Sequence, residues 1–364
     1  YTKMANKLGV TIQDVYKAST LYYQQGLDTD KAMAATQETL KMGRIANISG
    51  AEATDMMTAA LRGFNMEVNA TNAQRVNDVY SKLAAISASD TKELGTAMSK
   101  TASIAKSAGM DLETTTALLA QGIETTRESP ENIGTALKTI IARFQELKKN
   151  PNSISSVGGE RLDYNKVDTA LKTIGINMID QKGNFKNTGD IIGEVSKKWN
   201  TLSQAQQRYI ATTVAGSRQQ SRFIAMVSNN ARLVELTDAA YNSNGASAEQ
   251  YAKTQETVAT ALNRLTNAWN QFLMGIANHA VIKGGITALT TLLDVVNKIS
   301  GAFGAIPVIG GPLKFLSQLT SGLLLFKGAQ KGMEGGIRLL SDFAGERYAK
   351  AMGIDRTNDM VTRW

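Results

Sequence analysis

The sequence predicts a mainly α-helical protein. It reads as an array of short helices and helical hairpins with one small β-hairpin, followed by an apolar, Gly/Pro-containing helical segment. Three observations carry this. Proline is scarce: the 364 residues hold 4, against roughly 18 at average usage, and none occurs before Pro130. Long helices are therefore permitted, and loop-rich β folds are disfavoured. A junction of glycine, apolar residue and polar residue recurs at Gly9-Val10-Thr11, Gly26-Leu27-Asp28, Gly63-Phe64-Asn65, Gly109-Met110-Asp111 and Gly175-Ile176-Asn177. Glycine takes the left-handed conformation after a helix end, the apolar residue folds back on the last turn, and the polar residue caps the next helix or shapes the turn. Apolar residues also recur at helical spacing, as in Ile133, Leu137, Ile140, Ile141, Phe144 and Leu147.

The elements follow in order. Ser49-Gly50-Ala51-Glu52 has the capping-box pattern, ahead of Met56, Met57 and Leu61. Ser129-Pro130 opens the helix whose apolar face begins at Ile133. Lys148 and Lys149 read as its C-terminal end, where the dipole favours cations. Residues 150–162 read as a linker. A short helix over Val167–Ile174 precedes the β signal: Ile176 to Ile179, then Asp180-Gln181-Lys182-Gly183 with type I turn composition, then Asn184-Phe185. Thr188 is expected to cap a helix through Trp199, and Ser203 one through about Val214. Helices are expected over Ser217–Val227 and Asn230–Tyr241. A long helix is expected from Ala248 to Gly275, with a heptad-like stripe at Val258, Leu262, Leu265, Trp269, Phe272 and Ile276.

These elements divide the chain into 1–150, a helical array; 151–275, a helical region with the hairpin near 176–185; 276–333, an apolar segment; and 334–364, a C-terminal helical or loop segment. The apolar segment has two uncharged runs, 15 residues between Lys298 and Lys314 and 12 between Lys314 and Lys327. Both fall short of the roughly 18 residues of a spanning helix, and Pro307 and Pro312 would break the first. Two readings stand: a buried helical hairpin, or a candidate membrane segment of half-spanning or interfacial helices. The latter would use Ile299, Phe303, Ile306, Pro307, Val308, Ile309, Leu313, Phe315, Leu323, Leu324, Leu325 and Phe326.

Composition narrows function by exclusion. With 43% apolar and 20% charged residues, the chain is no disordered polyampholyte. Cysteine is absent and His279 is the single histidine, which removes disulfides, thiol catalysis, cysteine-held metals and multi-histidine sites. No phosphate loop or dinucleotide fingerprint is present. Asp355 to Asp359 lacks the glycine and distal glutamate of a calcium loop. Asp28 and Asp30 read as a helix start, and Glu124 and Glu128 as carboxylates one turn apart on a charged face. No catalytic, cofactor-binding or metal-binding residue is assigned, no cofactor is expected, and the chain is read as a non-enzyme. The net charge of +8 lies mostly after residue 150, since residues 1–150 hold 17 basic and 16 acidic side chains. Arg218 and Arg222 are expected on one helix face near Arg208, but aromatic residues, at 6%, do not interleave with basic ones as a stacking platform requires. No sequence-specific nucleic-acid binding is expected. The chain begins at Tyr1 within a helical pattern and is read as a fragment.

Several segments together resemble a known family. Ala46–Phe64, Ala102–Leu112, Ile133–Ile140, Ile174–Phe185 and Val214–Gln219, in that order, are similar to the core of phage tail tape-measure proteins of the minor-tail type. The resemblance covers roughly residues 1–230. It implies a virion structural protein that sets tail length, takes part in tail assembly and is ejected ahead of the DNA through the host envelope. The implied partners are the tail tube protein, tail tip and distal tail proteins, tail assembly chaperones, further copies of itself inside the tail, and the host membrane. The implied locations are the tail-tube lumen, the host cytoplasm during assembly and the host membrane during infection. The competing reading is a membrane-active helical module that forms or assists a conduit. A hydrolase and a generic cellular adaptor are the other readings considered. A fully helical chain of this length would extend roughly 550 Å, yet the glycine junctions cut it into short pieces. The expectation is therefore a folded helical module within a longer, extended tape.

Overall fold

The computed structural model describes residues 1–149, 156–157, 160–164, 166–180, 184–255, 263–264 and 267–268. All lie within Tyr1–Val295, the first of two units into which the chain divides. The fold of the described residues is mainly helical.

The N-terminal helices are α1 (Thr2–Leu8), α2 (Ile12–Gln24), α3 (Thr29–Ala46) and α4 (Gly50–Gly63). Local capping sets their boundaries. Gly9 ends α1 with φ 65°, and the Thr11 side chain accepts the Asp14 N–H at the start of α2. Asp28 does the same for the Lys31 N–H at α3, and Asp30 sits in that first turn. Ser49 accepts the Glu52 N–H, but Glu52 does not complete the box; it pairs with Lys92 at 3.2 Å. The complete boxes described are Asp90 with Glu93 and Ser203 with Gln206.

Next come α5 (Ala70–Ile86), α6 (Thr91–Ser107), α7 (Leu112–Thr126) and α8 (Pro130–Phe144). Asp111 caps α7, and Ser129 caps α8 with Pro130 at its first position. Helix α7 is the innermost, with Leu112, Glu113 and Thr115 through Ile123 buried. It packs against α5, α6 and α8 and against two later helices. Its buried Thr115 and Thr116 hydroxyls donate back to the Asp111 and Leu112 carbonyls at 2.6 Å, so neither hydroxyl is left unpaired. On α8, Ile133, Leu137, Ile140, Ile141 and Phe144 are all buried, as their spacing predicts.

Helix α6 is held tightly on two sides. A Cβ on Gly134 of α8 would lie 2.4 Å from the Ala97 carbonyl oxygen, and one on Gly63 of α4 would lie 2.4 Å from the Ala102 Cβ. Glycine at these positions allows backbones to approach. This corrects the junction reading at Gly63: the left-handed residue there is Asn65, with φ 56°, and Gly63 is the last residue of α4.

Helix α8 stops at Phe144 rather than continuing to Lys149. Lys148 and Lys149 instead belong to β1 (Leu147–Lys149), which pairs antiparallel with β3 (Glu160–Tyr164), setting Leu147 opposite Tyr164 and Lys148 opposite Asp163. Strand β2 (Ser156–Val157) pairs with the other edge of β3, giving the order β1-β3-β2. The stretch read as a linker thus contributes strand backbone. The sequence Asn150-Pro151 disfavours continuing the helix, and Leu147–Lys149 pairs with β3 instead.

Helices α9 (Lys166–Lys172), α10 (Thr188–Trp199), α11 (Gln204–Ala215), α12 (Gln220–Val227), α13 (Asn230–Tyr241) and α14 (Ala246–Gln255) complete the described helices. Between α9 and α10, a single antiparallel bridge joins Ile179 to Phe185, and the turn residues 181–183 lie outside the described residues. The cap of α10 is Asn187, not Thr188. Its side chain accepts the Gly189 N–H while its amide donates to the Gly109 carbonyl, so one residue starts α10 and ties it to the α6–α7 junction. Arg218 lies in the turn before α12 rather than on it, so it shares no helix face with Arg222. The six stripe positions from Val258 to Ile276 and the whole candidate membrane segment lie outside the described residues, as do His279 and Asp355–Asp359.

Among the described residues, one hydrophobic core runs from Tyr22 to Ala240 and joins α2–α13. A smaller cluster of Ala5, Leu8, Val10, Val15, Ala18 and Leu40 holds the N-terminal corner.

Candidate functional site

Two sets of polar side chains join distant parts of the bundle. The first surrounds α7. Arg232 on α13 donates from Nε and Nη2 to the two Glu124 carboxylate oxygens at 2.9 and 3.0 Å, and it pairs with Glu235 at 2.8 Å. These bonds, Glu124 first and Glu235 second, raise the Arg232 pKa above its ordinary value. Arg222 on α12 pairs with Glu128. Arg75 on α5 makes a forked pair with Glu113 at 2.7 and 2.8 Å. Glu124 and Glu128, carboxylates one turn apart, are therefore each engaged by an arginine from a later helix. Their role is to tie helices together.

The second set joins α14, Gly245, Asn263 and Asn267 to α5 and to the N-terminal corner. Asp78 on α5 is only 4% exposed, and its carboxylate accepts the Gly245 N–H at 3.1 Å, the Ser247 N–H at 2.9 Å and the Ser247 hydroxyl. Further along, Tyr251, Gln255, Asn263 and Asn267 donate in turn to the carbonyls of Lys7, Leu8, Gly9 and Val10. The distances are 3.4, 3.2, 2.9 and 2.7 Å. Lys7 and Leu8 are among the residues whose carbonyls α1 leaves unpaired at its C-terminal end, and Gly9 and Val10 lie in the connection to α2. A ladder of side chains from the far end of the chain satisfies them.

A half-open cavity of about 170 Å³ adjoins this ladder, lined by Val10, Asp14, Leu40, Gly43, Arg44, Asn47, Ile48, Gly50 and Asn263. Its charges are mixed. Burial lowers the Arg44 pKa against the opposing effect of Tyr251 and Asp14, and Asp14 already accepts the Gly50 N–H at 3.1 Å and the Thr11 hydroxyl at 2.7 Å. Burial also pushes the Tyr251 phenol up to about 12. Among the described residues, no group of His, Asp and Glu could hold a metal ion.

Sequence reading placed several of the helix caps, such as Ser129 and Ser203, but missed both sets. The bonds between helices link residues 38 to 257 positions apart, and no local pattern marks them. Asp78 lies on the opposite side of α5 from Val76, Val79 and Leu83, so the apolar spacing gives no hint of its burial.

This is a helical structural module, whose polar side chains join one helix to another. The chain belongs to the phage-related minor tail protein family, whose model matches residues 2–216. It is 22% identical over 286 residues to a tape measure protein of Pneumococcus phage Dp-1, covering 78% of this chain and 23% of that protein. It is 24% identical over 352 residues to a probable tape measure protein of Escherichia phage P2, covering 85% of this chain and 40% of that protein. The chain thus spans less than half the length of either relative. No solved structure matches it.

Proposed function

We propose that this chain is a compact helical module of a tail tape-measure protein, non-enzymatic, acting in tail assembly and length determination and leaving the tail with the DNA. The observation that carries the reading is the family match over residues 2–216 together with relatives named tape measure proteins. The fold sharpens it. Helices α1–α8 are 7 to 18 residues long and turn back on one another at capped corners. That build suits docking more than linear measurement. The tail tube and tip proteins, the assembly chaperones and further copies of the chain are the proposed partners. The virion tail is the proposed site of action.

An in-frame deletion of α5 and α6, about 40 residues, tests this by electron microscopy of tails. A compact module gives no tails, or tails of unchanged length. Tails shortened by about 60 Å, near 1.5 Å per deleted residue, would make this region part of an extended ruler instead.

The membrane reading has one observation in its favour, the two uncharged runs within 299–326. No described helix is long and apolar enough to cross a membrane. Leakage from lipid vesicles that is lost on deleting 281–326 would support a host-membrane role. Equal leakage without the segment would remove it.

A further inference from the structure

Helix α14 and the ladder after it are attached differently from the helices of the main core. Of the ten residues of α14, only Ser247 is buried, and neither α1 nor α14 contributes a buried residue to the main core. The surface beneath α14 is polar. Asn77, Asp78 and Ser81 stand at helical spacing on α5, all less than 5% exposed, and Glu38 of α3 is 6% exposed. The Asn77 amide donates to the Glu38 carbonyl at 2.7 Å, and Lys41 pairs with Glu38 at 2.7 Å. Yet Asn77 Oδ1, Ser81 Oγ, Glu38 Oε2 and Asn267 Oδ1 are buried without a protein partner. Each such atom carries a desolvation penalty while it is closed off from water. Helix α14 packs on both α5 and α3, and Tyr251 is its one side chain described against the smaller apolar cluster, so little apolar burial opposes release and hydration of the seam favours it.

We propose that residues 245–255 form a releasable strap. It closes over the α3–α5 polar seam and the C-terminal carbonyls of α1, and it opens while α4–α13 stay folded. Release frees α14 from the bundle, and it loosens α1, whose Lys7 and Leu8 carbonyls lose the Tyr251 and Gln255 donors together. Gly245, with φ +83° and nothing within 4 Å of where a Cβ would sit, supplies the joint. Asp78 is the catch, because its carboxylate holds both the joint and the first turn of α14. The inference stands on these contacts and does not depend on the chain's role in the tail.

Hydrogen exchange of the full chain, read by mass spectrometry, tests it. Peptides from α14 and α1 should exchange together, on the order of 100-fold faster than peptides from α6 and α8, as expected of a sub-global opening. Asp78→Ala should speed exchange in α14 and α1 roughly tenfold and leave α6 and α8 unchanged. The native chain has no cysteine, so an oxidised Asp78→Cys, Ser247→Cys pair should slow both helices toward the core rate, and reduction should reverse this. Exchange of α14 at the same rate as α6 and α8 would overturn the proposal. So would an Asp78→Ala variant that accelerates all four helices alike, or a pair that stays reduced under oxidant while Ser247→Ala leaves α14 exchange unchanged.

Discussion

Helices α8 and α14 show two ways of holding a helix to the same bundle. Helix α8 buries Ile133, Gly134, Ala136, Leu137, Ile140, Ile141 and Phe144, and lays its backbone directly on α6 at Gly134. Helix α14 buries one serine and is attached through a buried carboxylate and a ladder of side-chain donors. Apolar burial scales with area and is insensitive to small movements. Hydrogen bonds exchange with water at little net gain. The first arrangement makes α4, α6 and α8 a single cooperative unit. The second lets a segment come and go without disturbing that unit.

The comparison can be broken by changes on either side. The largest effect is expected at the close backbone approach. Gly134→Val places side-chain atoms against the Ala97 carbonyl, and it should cost about 3 kcal/mol in urea unfolding. A loss below about 1 kcal/mol would show that α6 and α8 can part without penalty. Next comes the arginine that ties α13 to α7. Arg232→Ala leaves the largely buried Glu124 without its forked partner and should cost about 2–3 kcal/mol. Replacing both residues with apolar ones should recover part of the loss, which a double-mutant cycle would measure.

Alkaline pH sharpens the contrast. Burial raises the Tyr251 pKa from 10.0 to about 12. Its contribution is full below pH 10 and is lost as pH rises through about 12. Tyr22, raised to about 12 by burial in the main core, titrates in the same window. Tyr251→Phe should therefore remove the alkaline loosening of α14 while the main core still melts. Phenolate absorbance and hydrogen exchange together report this; unchanged α14 exchange across about pH 10–12 in the unaltered chain would contradict it. The smallest effect has the opposite sign. Gly193 in α10 has nothing within 4 Å of where a Cβ would sit, so Gly193→Ala should stabilise by about 0.5–1 kcal/mol, read as a higher urea midpoint.

Much of the helical frame was legible because its signals are local. Thr11, Asp28, Asp111, Ser129 and Ser203 cap the helices that follow them. The apolar spacing on α8 identifies its buried face. Local signals failed where tertiary contact decides. Gly63 looks like a turn glycine in sequence, but its conformation is helical and its small size serves α6. Lys148 and Lys149 suit a helix terminus as well as a strand, and pairing with β3 settles the matter. The Asn187 cap was hidden behind Thr188, an equally plausible residue one position on. Glu124, Glu128 and Asp78 gain their partners only when α12, α13 and α14 return to the bundle.

Limited trypsin digestion of the full chain tests the difference between the two regions most directly. Lys253 lies on α14, whereas Lys100 and Lys106 lie on α6 and Lys138 on α8. Cleavage at Lys253 should precede cleavage at those three sites by a wide margin, leaving a protected piece that contains α4–α13. Cleavage at Lys100, Lys106 or Lys138 as early as at Lys253 would contradict the picture of a stable bundle closed by a polar strap.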